Sequence, residues 1–151
     1  REPGTIEQRM KDDAIAALKA GDRRRREALS QVVAALKKAR IDSRKDPSEA
    51  DELVVLKREH KRRAEALELY EQAGRQDLAD QERFEAGLLA SYMPEELGAD
   101  ELAAMVDEAI AATGAATPKE MGKVMAQLMP KVAGRADGKA LSALVRAKLG
   151  G

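Results

Sequence analysis

Apolar residues recur at the helical period in every segment of this sequence, and this pattern constrains the fold more than any other feature. Leucine, valine, isoleucine and methionine return every three or four residues, and no stretch alternates apolar and polar residues as a half-buried strand would. Charged residues make up 36% of the chain and aromatic residues 2%, which is typical of long, solvent-exposed helices. The sequence therefore predicts an all-α protein.

Capping residues and helix breakers divide the first ninety residues into four predicted helices. A short polar side chain before a helix accepts hydrogen bonds from free backbone amides. Gly21 and Gly74 are expected to end the first and third helices, because glycine readily adopts the left-handed conformation at a helix C-terminus. The predicted residues at the helix starts are Thr5 with Gln8, Asp22, Ser48 with Asp51, and Asp77.

Each of these helices has a predicted buried face. Because the helices are long, we expect them to form an elongated N-terminal bundle over residues 1–93. The predicted inward residues are Ile6, Met10, Ala14, Ala17 and Leu18 in the first helix, Leu29, Val32, Val33 and Leu36 in the second, Leu53, Leu56, Leu67 and Tyr70 in the third, and Phe84, Leu88, Leu89 and Tyr92 in the fourth.

The stretch YMPEEL, residues 92–97, predicts a domain boundary, because Pro94 disfavours a helical residue before it. Short helices follow, and they bury one another only as a compact cluster. We therefore expect a small three-helix domain over residues 94–151, whose middle helix begins at a capping box of Thr117 and Glu120 with Pro118 at the first helical position. The predicted inward residues are Leu102, Met105, Val106, Ala109, Ile110, Met121, Val124, Met125, Leu128, Leu141, Leu144, Val145 and Leu149.

Signals for catalysis are almost absent from the sequence. It has no cysteine, no P-loop and no dinucleotide fingerprint. His60 is its only histidine and lies on an apolar helix face, so we interpret it as a packed residue rather than a ligand. We predict no catalytic residue, no metal site and no cofactor. No apolar run approaches the ~18 residues that span a membrane, so we expect a soluble cytoplasmic protein.

The net charge of zero hides a segregation along the chain. Residues 93–116 contain six acidic residues and no basic one, whereas residues 117–151 contain seven basic residues and two acidic ones. Local fields of this kind decide what binds to a surface. A run of four arginines, Arg23, Arg24, Arg25 and Arg26, lies in the first turn of the second helix, where cations oppose the helix dipole. The run is either a solvated surface or a phosphate-binding edge.

The corner MPKVAGRADGKAL, residues 129–141, combines breakers with evenly spaced cations. Pro130, Gly134 and Gly138 are expected to break the helical pattern, and Asp137 is expected to cap the last helix. Cations beside a helix N-terminus would favour phosphate binding, although a solubilising corner would have the same pattern. The candidate RNA-binding residues of this region are Lys119, Lys123, Lys131, Arg135, Lys139 and Arg146.

Several stretches of the sequence resemble the YqeY family. They are YMPEEL, MGKVMAQLMPKVAGRADGKALSALV, AGDRRRREALSQVVAALKKARID and EQAGRQDLADQE, and they extend over nearly the whole chain. This family is similar to the C-terminal tail of the B subunit of the aspartyl/glutamyl-tRNA amidotransferase. The resemblance implies an all-helical protein with two subdomains that contacts tRNA, while the glutaminase and ATP-dependent centres lie in other parts of the larger enzyme.

Three functions follow from the residues and the resemblance together. The first is a stand-alone tRNA-binding module, accessory to aminoacylation or transamidation and partnered by a synthetase or an amidotransferase subunit. The second is a helical scaffold whose acidic segment, residues 93–116, binds a basic protein. The third, a glutamine-dependent carbon–nitrogen ligase, follows from family association alone. Because aromatic residues are scarce, we expect any RNA to be recognised by backbone shape and phosphates rather than by base stacking.

Overall fold

The computed structural model describes residues 2–150, and they form only helices and connecting turns. The chain divides into two compact units, Arg1–Met93 and Pro94–Gly151. The all-α prediction is confirmed; that each unit folds as an independent domain stays a prediction. None of the helices within residues 2–150 is both long and apolar enough to cross a membrane.

Four helices form the first unit. They are α1 (Thr5–Lys19), α2 (Arg23–Ser43), α3 (Glu49–Gln72) and α4 (Gln76–Ala90). α1 packs along α2 and α3 packs along α4, so the unit consists of two helical hairpins. Their shared core contains Met10, Leu29, Leu56 and Leu89, each nearly inaccessible to solvent. Long helices carry one apolar stripe each, and the pairing of two hairpins covers all four stripes.

The predicted helix starts are confirmed at α2 and α3. The Asp22 carboxylate accepts a hydrogen bond from the Arg25 backbone N–H. Ser48 and Asp51 form a reciprocal capping box at α3, and the hydrogen bonds from Ser48 hold the pKa of the Asp51 carboxyl below its ordinary value. Gly21 adopts a positive φ of 75°, as expected for the residue after a helix.

The predicted caps at α1 and α4 are wrong. Thr5 is the first residue of α1 and no side chain at the N-cap contributes a bond. The carboxylate of Glu52, on α3, instead accepts from the backbone N–H groups of Ile6 and Glu7 at 3.1 and 2.8 Å. Asp77 lies inside α4 and pairs with Arg75 at 3.2 Å, which lowers the pKa of the Asp77 carboxyl.

The predicted buried faces hold in the centre of the unit and weaken at the helix ends. Leu18 is 61% exposed, contrary to prediction, whereas its neighbour Ala17 is 5% exposed, so the buried side of the last turn of α1 includes Ala17 and not Leu18. Leu67 and Tyr70, near the end of α3, are only partly buried. The apolar period shows which face is inward but not how far along the helix the neighbouring elements reach.

Three α-helices and a 3₁₀ turn form the second unit. They are α5 (Ala99–Thr113), the 3₁₀ turn Pro118–Glu120, α6 (Met121–Val132) and α7 (Gly138–Lys148). Their core is apolar throughout and centres on Val106, Val124, Leu128, Leu141 and Val145. Each of the three helices contributes to this core, as the sequence predicted.

Two local predictions in the second unit are wrong. Pro130 lies inside α6 rather than ending it. It disturbs only the last turn, since Val132 is buried and holds that turn against the core. Thr117 contributes no side-chain cap. The Glu120 carboxylate accepts instead from the Ala116 backbone N–H at 3.1 Å, one residue before the expected position. Pro118 occupies the first position of the 3₁₀ turn, as predicted.

Candidate nucleic-acid-binding surface

The corner between α6 and α7 is built by two left-handed residues and one cap. Ala133 and Gly134 have φ values of 48° and 77°, which reverse the chain at the end of α6. The Asp137 carboxylate then accepts a hydrogen bond from the Ala140 backbone N–H at 3.2 Å, so its predicted capping role is confirmed. Gly138 is the first residue of α7 and has no positive φ; no tight turn requires a glycine there.

Arg135 makes two contacts that hold the corner to the start of the second unit. Its guanidinium Nε donates to the Glu95 carbonyl oxygen at 2.8 Å. Its own carbonyl oxygen accepts from the Leu97 backbone N–H at 2.9 Å. The side chain is partly buried. Arg135 therefore positions the segment before α5, and its Nε is directed at the protein rather than at solvent.

The lysines beside Arg135 are free. Lys131, in the last turn of α6, and Lys139, in the first turn of α7, are exposed and have no ion-pair partner within residues 2–150. Lys119 and Arg146 are exposed in the same way. Four of the six cations predicted for this region thus keep their charge unpaired at the surface.

Two further basic residues of the unit are paired. Lys123 lies 3.8 Å from Glu120, one turn before it. Lys148 approaches Asp107, on α5, at 2.8 Å. Both pairs are solvent-exposed and worth at most about 1 kcal/mol, but they reduce the charge that these lysines offer to an anion.

The four arginines of α2 are not a uniform edge. Arg23 pairs with Glu27 at 2.9 Å. The Arg24 guanidinium lies 4.1 Å from the centre of the Phe84 ring and donates to Gln81 and Asp80. Arg25 and Arg26 are partly buried. The run therefore joins α2 to α4 through Arg24, and its guanidinium groups do not form one surface.

A buried ionic network in the first unit was missed by the sequence reasoning. Glu7 on α1 accepts two hydrogen bonds from the Arg40 guanidinium, each at 3.0 Å, and these bonds raise the pKa of Arg40. Glu52 and Glu59 are buried on α3. The available signal was their position, because Glu52 and Glu59 share a helix face with Leu53 and Leu56, where a charge needs a partner.

The side chains that most often bind metal ions are dispersed in the described part of the chain. No group of three histidine, aspartate or glutamate side chains within residues 2–150 has metal-binding geometry. His60 is partly buried on α3. The three aromatic residues, Tyr70, Phe84 and Tyr92, are at least partly buried, so none offers an open ring for a stacked base.

A family comparison covers both units at once. The family model described as Yqey-like protein matches residues 7–149. The chain belongs to the YqeY family. Among curated proteins, none matches the sequence. The matched residues include the α6–α7 corner and the arginine run of α2.

Proposed function

We propose that this YqeY protein is a tRNA-binding module whose second unit contacts phosphates through the cations around the α6–α7 corner. The observation that supports this most strongly is the pair Lys131 and Lys139. Both are exposed without an ion-pair partner in residues 2–150, on either side of the capped N-terminus of α7. Exposed lysines that have no ion-pair partner favour contact with a phosphate.

The proposal also includes Lys119, in the 3₁₀ turn before α6, and Arg146, in the last turn of α7. Lys139 and Arg146 are seven residues apart on α7, which places them on the same side of the helix. An RNA duplex is recognised chiefly through its backbone and shape, and such recognition requires no aromatic side chain. The resemblance to the amidotransferase tail adds tRNA as the structured RNA, with a synthetase or amidotransferase subunit as a further partner in the cytoplasm.

The arginine run of α2 has a smaller part in this proposal. Arg23 and Arg24 are occupied by contacts within the first unit, so they offer less to a phosphate than the lysines of the second unit. We assign Arg25 and Arg26 to a second contact with the RNA phosphates. We propose no catalytic step for the chain, and ligase chemistry enters only by association with the larger enzyme.

The test is tRNA binding by the full chain with Lys131 and Lys139 both changed to Glu. We expect binding to be lost while the free energy of unfolding changes by no more than about 0.5 kcal/mol, because exposed substitutions have small effects on stability. Arg135 is left unchanged, since its loss would also release the Glu95 carbonyl. The matched control is Lys19→Glu with Lys37→Glu, which alters the charge equally at exposed positions of the first unit that also have no ion-pair partner within residues 2–150.

Two further measurements define the surface. With about four phosphates neutralised, the logarithm of the affinity should fall with a slope of about −3 to −4 against the logarithm of salt concentration.

Asp137→Ala should cost about 1 kcal/mol of stability through the lost cap, yet leave tRNA binding equal or stronger because an anion is removed. Parent-like binding by the Lys131 and Lys139 variant would reject the proposal and favour the helical scaffold.

A further inference from the structure

A cleft separates α2 from α3 in the first unit, where the two hairpins face each other. One part of it, a cavity of about 240 Å³, is lined mainly by apolar groups, among them Leu36, Val54 and Val55. A wider depression of about 660 Å³ continues from it and shares Ala39, Ser43 and Arg58 with the cavity. The apolar cavity and the wider depression therefore form one continuous surface.

The cleft extends further along the same two helices. A third depression of about 290 Å³ shares Arg62 with the second and is lined by Gln31, Glu82 and Glu85 at its far end. From Ser43 to Gln31 the cleft follows twelve residues of α2, roughly 18 Å at the helical rise. A surface of this length suits a chain molecule better than a compact metabolite.

The cleft has an unpaired charge of opposite sign in each half. Arg58 is exposed at the mouth of the apolar cavity and has no ion pair within residues 2–150. Glu82, at the far end, has no hydrogen-bond or ion-pair partner in the same residues and is partly buried. Burial and the neighbouring Glu85 raise the pKa of the Glu82 carboxyl, while Arg63 opposes them. Its charge is therefore incompletely balanced.

The wall of the cleft also contains an exposed apolar side chain, Val54. Val54 is 64% exposed, one helical turn before Arg58, and lines the apolar cavity. An apolar group bound there would cover Val54 and place its neighbour within reach of Arg58. An apolar centre with charged residues at its rim is an arrangement that protein-binding sites use.

We propose that this cleft binds a peptide segment of a partner protein, with an apolar side chain in the cavity, a carboxylate against Arg58 and a basic group toward Glu82. RNA fits the cleft poorly. No aromatic ring lines any of its three parts, and the lining contains six acidic and six basic side chains, so the cleft offers no net positive charge to a phosphate backbone. This site is distinct from the proposed tRNA surface of the second unit.

The experiment uses two fluorescein-labelled, alanine-based helical peptides of identical composition. The first carries leucine, glutamate and lysine in that order, one turn or more apart, and the second has glutamate and lysine exchanged. We expect the full chain to bind the first about tenfold more tightly, because two attractive contacts become repulsive in the second. Fluorescence anisotropy gives both affinities. Equal affinities, or no measurable binding of the first peptide at millimolar protein, would overturn the proposal.

Charge reversal in the protein then tests the assignment of Arg58. Arg58→Glu should abolish or invert the preference between the two peptides. Lys37→Glu, which reverses one positive charge at an exposed α2 position outside the cleft, should preserve the preference. A preference that survives Arg58→Glu would place binding elsewhere and overturn the proposal.

The apolar part of the cleft has its own matched pair of variants. Val54→Asp should weaken the first peptide about fivefold or more, and Ile41→Asp should not, although Ile41 is 54% exposed and comparably apolar. Equal loss in both variants would contradict the cavity assignment.

Unlabelled tRNA should leave the bound peptide in place. Displacement by tRNA would reject the peptide site in favour of a nucleic-acid site, independently of whether the α6–α7 lysines bind tRNA.

Discussion

The two units of this YqeY protein differ in where they keep their charges. Within residues 2–150, the buried charged residues Glu7, Arg40, Glu52 and Glu59 all belong to the first unit, and the buried core of the second unit is apolar. In the first unit the Glu52 carboxylate, on α3, accepts from backbone N–H groups at the start of α1, and Arg40, on α2, pairs with Glu7 of α1, so these charges are buried where α1 meets its neighbours.

The difference continues on the surface. In the first unit, basic residues at the start of α2 and along the cleft form ion pairs with acidic residues or contact an aromatic ring. Examples are Arg23, Arg24 and Arg63. In the second unit Lys131 and Lys139 remain unpaired. A high count of arginines is therefore a poorer guide to an anion-binding surface than the pairing of each cation.

The contrast between the two units would be contradicted most strongly if the second unit could not fold by itself. Residues 94–151 expressed alone should give a helical fragment with cooperative thermal unfolding, measured by circular dichroism, because the Val106–Leu128–Val145 core is closed within the unit. The contacts of Arg135 with Glu95 and Leu97 are retained in this fragment. A disordered fragment would show that its core depends on the first unit.

Loss of the Glu52 carboxylate should have the largest effect of any single substitution considered for the first unit. Glu52→Ala leaves the buried N–H groups of Ile6 and Glu7 without an acceptor, at about 1–3 kcal/mol each, and we expect a total loss of about 2–4 kcal/mol in urea denaturation. Glu52→Gln, which keeps an acceptor oxygen, should lose less. Glu68→Ala, exposed on the same helix, serves as the control; a similar loss there would contradict the capping role.

Gly4 and Gly98 allow the two units to be compared at equivalent positions. Both are N-cap residues with extended backbones. A Cβ at Gly4 would overlap the Glu52 carboxylate, whereas one at Gly98 meets nothing. We expect Gly4→Ala to cost about 1–2 kcal/mol and Gly98→Ala less than about 1 kcal/mol. In a Glu52→Ala background the two costs should become equal, and a persistent difference would require another cause.

The smallest predicted effect is a loss of stability at high pH, when a tyrosine ionises. It reports on the first unit alone, because both tyrosines belong to that unit. Burial, together with the hydrogen bond that the Tyr92 hydroxyl donates to Asp13, raises the pKa of Tyr92 to about 12 from 10.0. The folded state thus holds this proton more tightly than the unfolded state. Its contribution to stability is complete below pH 10 and is lost as the pH rises toward 12.

Ultraviolet titration of tyrosinate measures this shift. One of the two tyrosines should ionise near pH 12, and Tyr92→Phe should remove that step. Asp13→Asn should move the step to lower pH, since it removes a negative charge that opposes ionisation. Two unshifted titrations in the folded protein would contradict the buried hydrogen bond.

Features that depend on neighbours in the sequence could be predicted well. The helical period gave the all-α fold, and local chemistry placed the Ser48–Asp51 capping box and the Asp137 cap. Candidate site residues were harder. Exposure of Lys131 and Lys139 followed from their polar helix positions, but the engagement of Arg24 by Phe84 joins residues sixty positions apart along the chain.

The sequence by itself determined which residues are helical and which side of each helix is apolar, because both depend on interactions within one or two turns. Only the tertiary structure decided that Glu52 caps α1, that Arg40 pairs with Glu7 and that Arg135 holds the Glu95 carbonyl. Each of these contacts joins residues at least thirty positions apart. Their partners are chosen by how helices pack, and the apolar period of a single helix carries no information about which neighbour it meets.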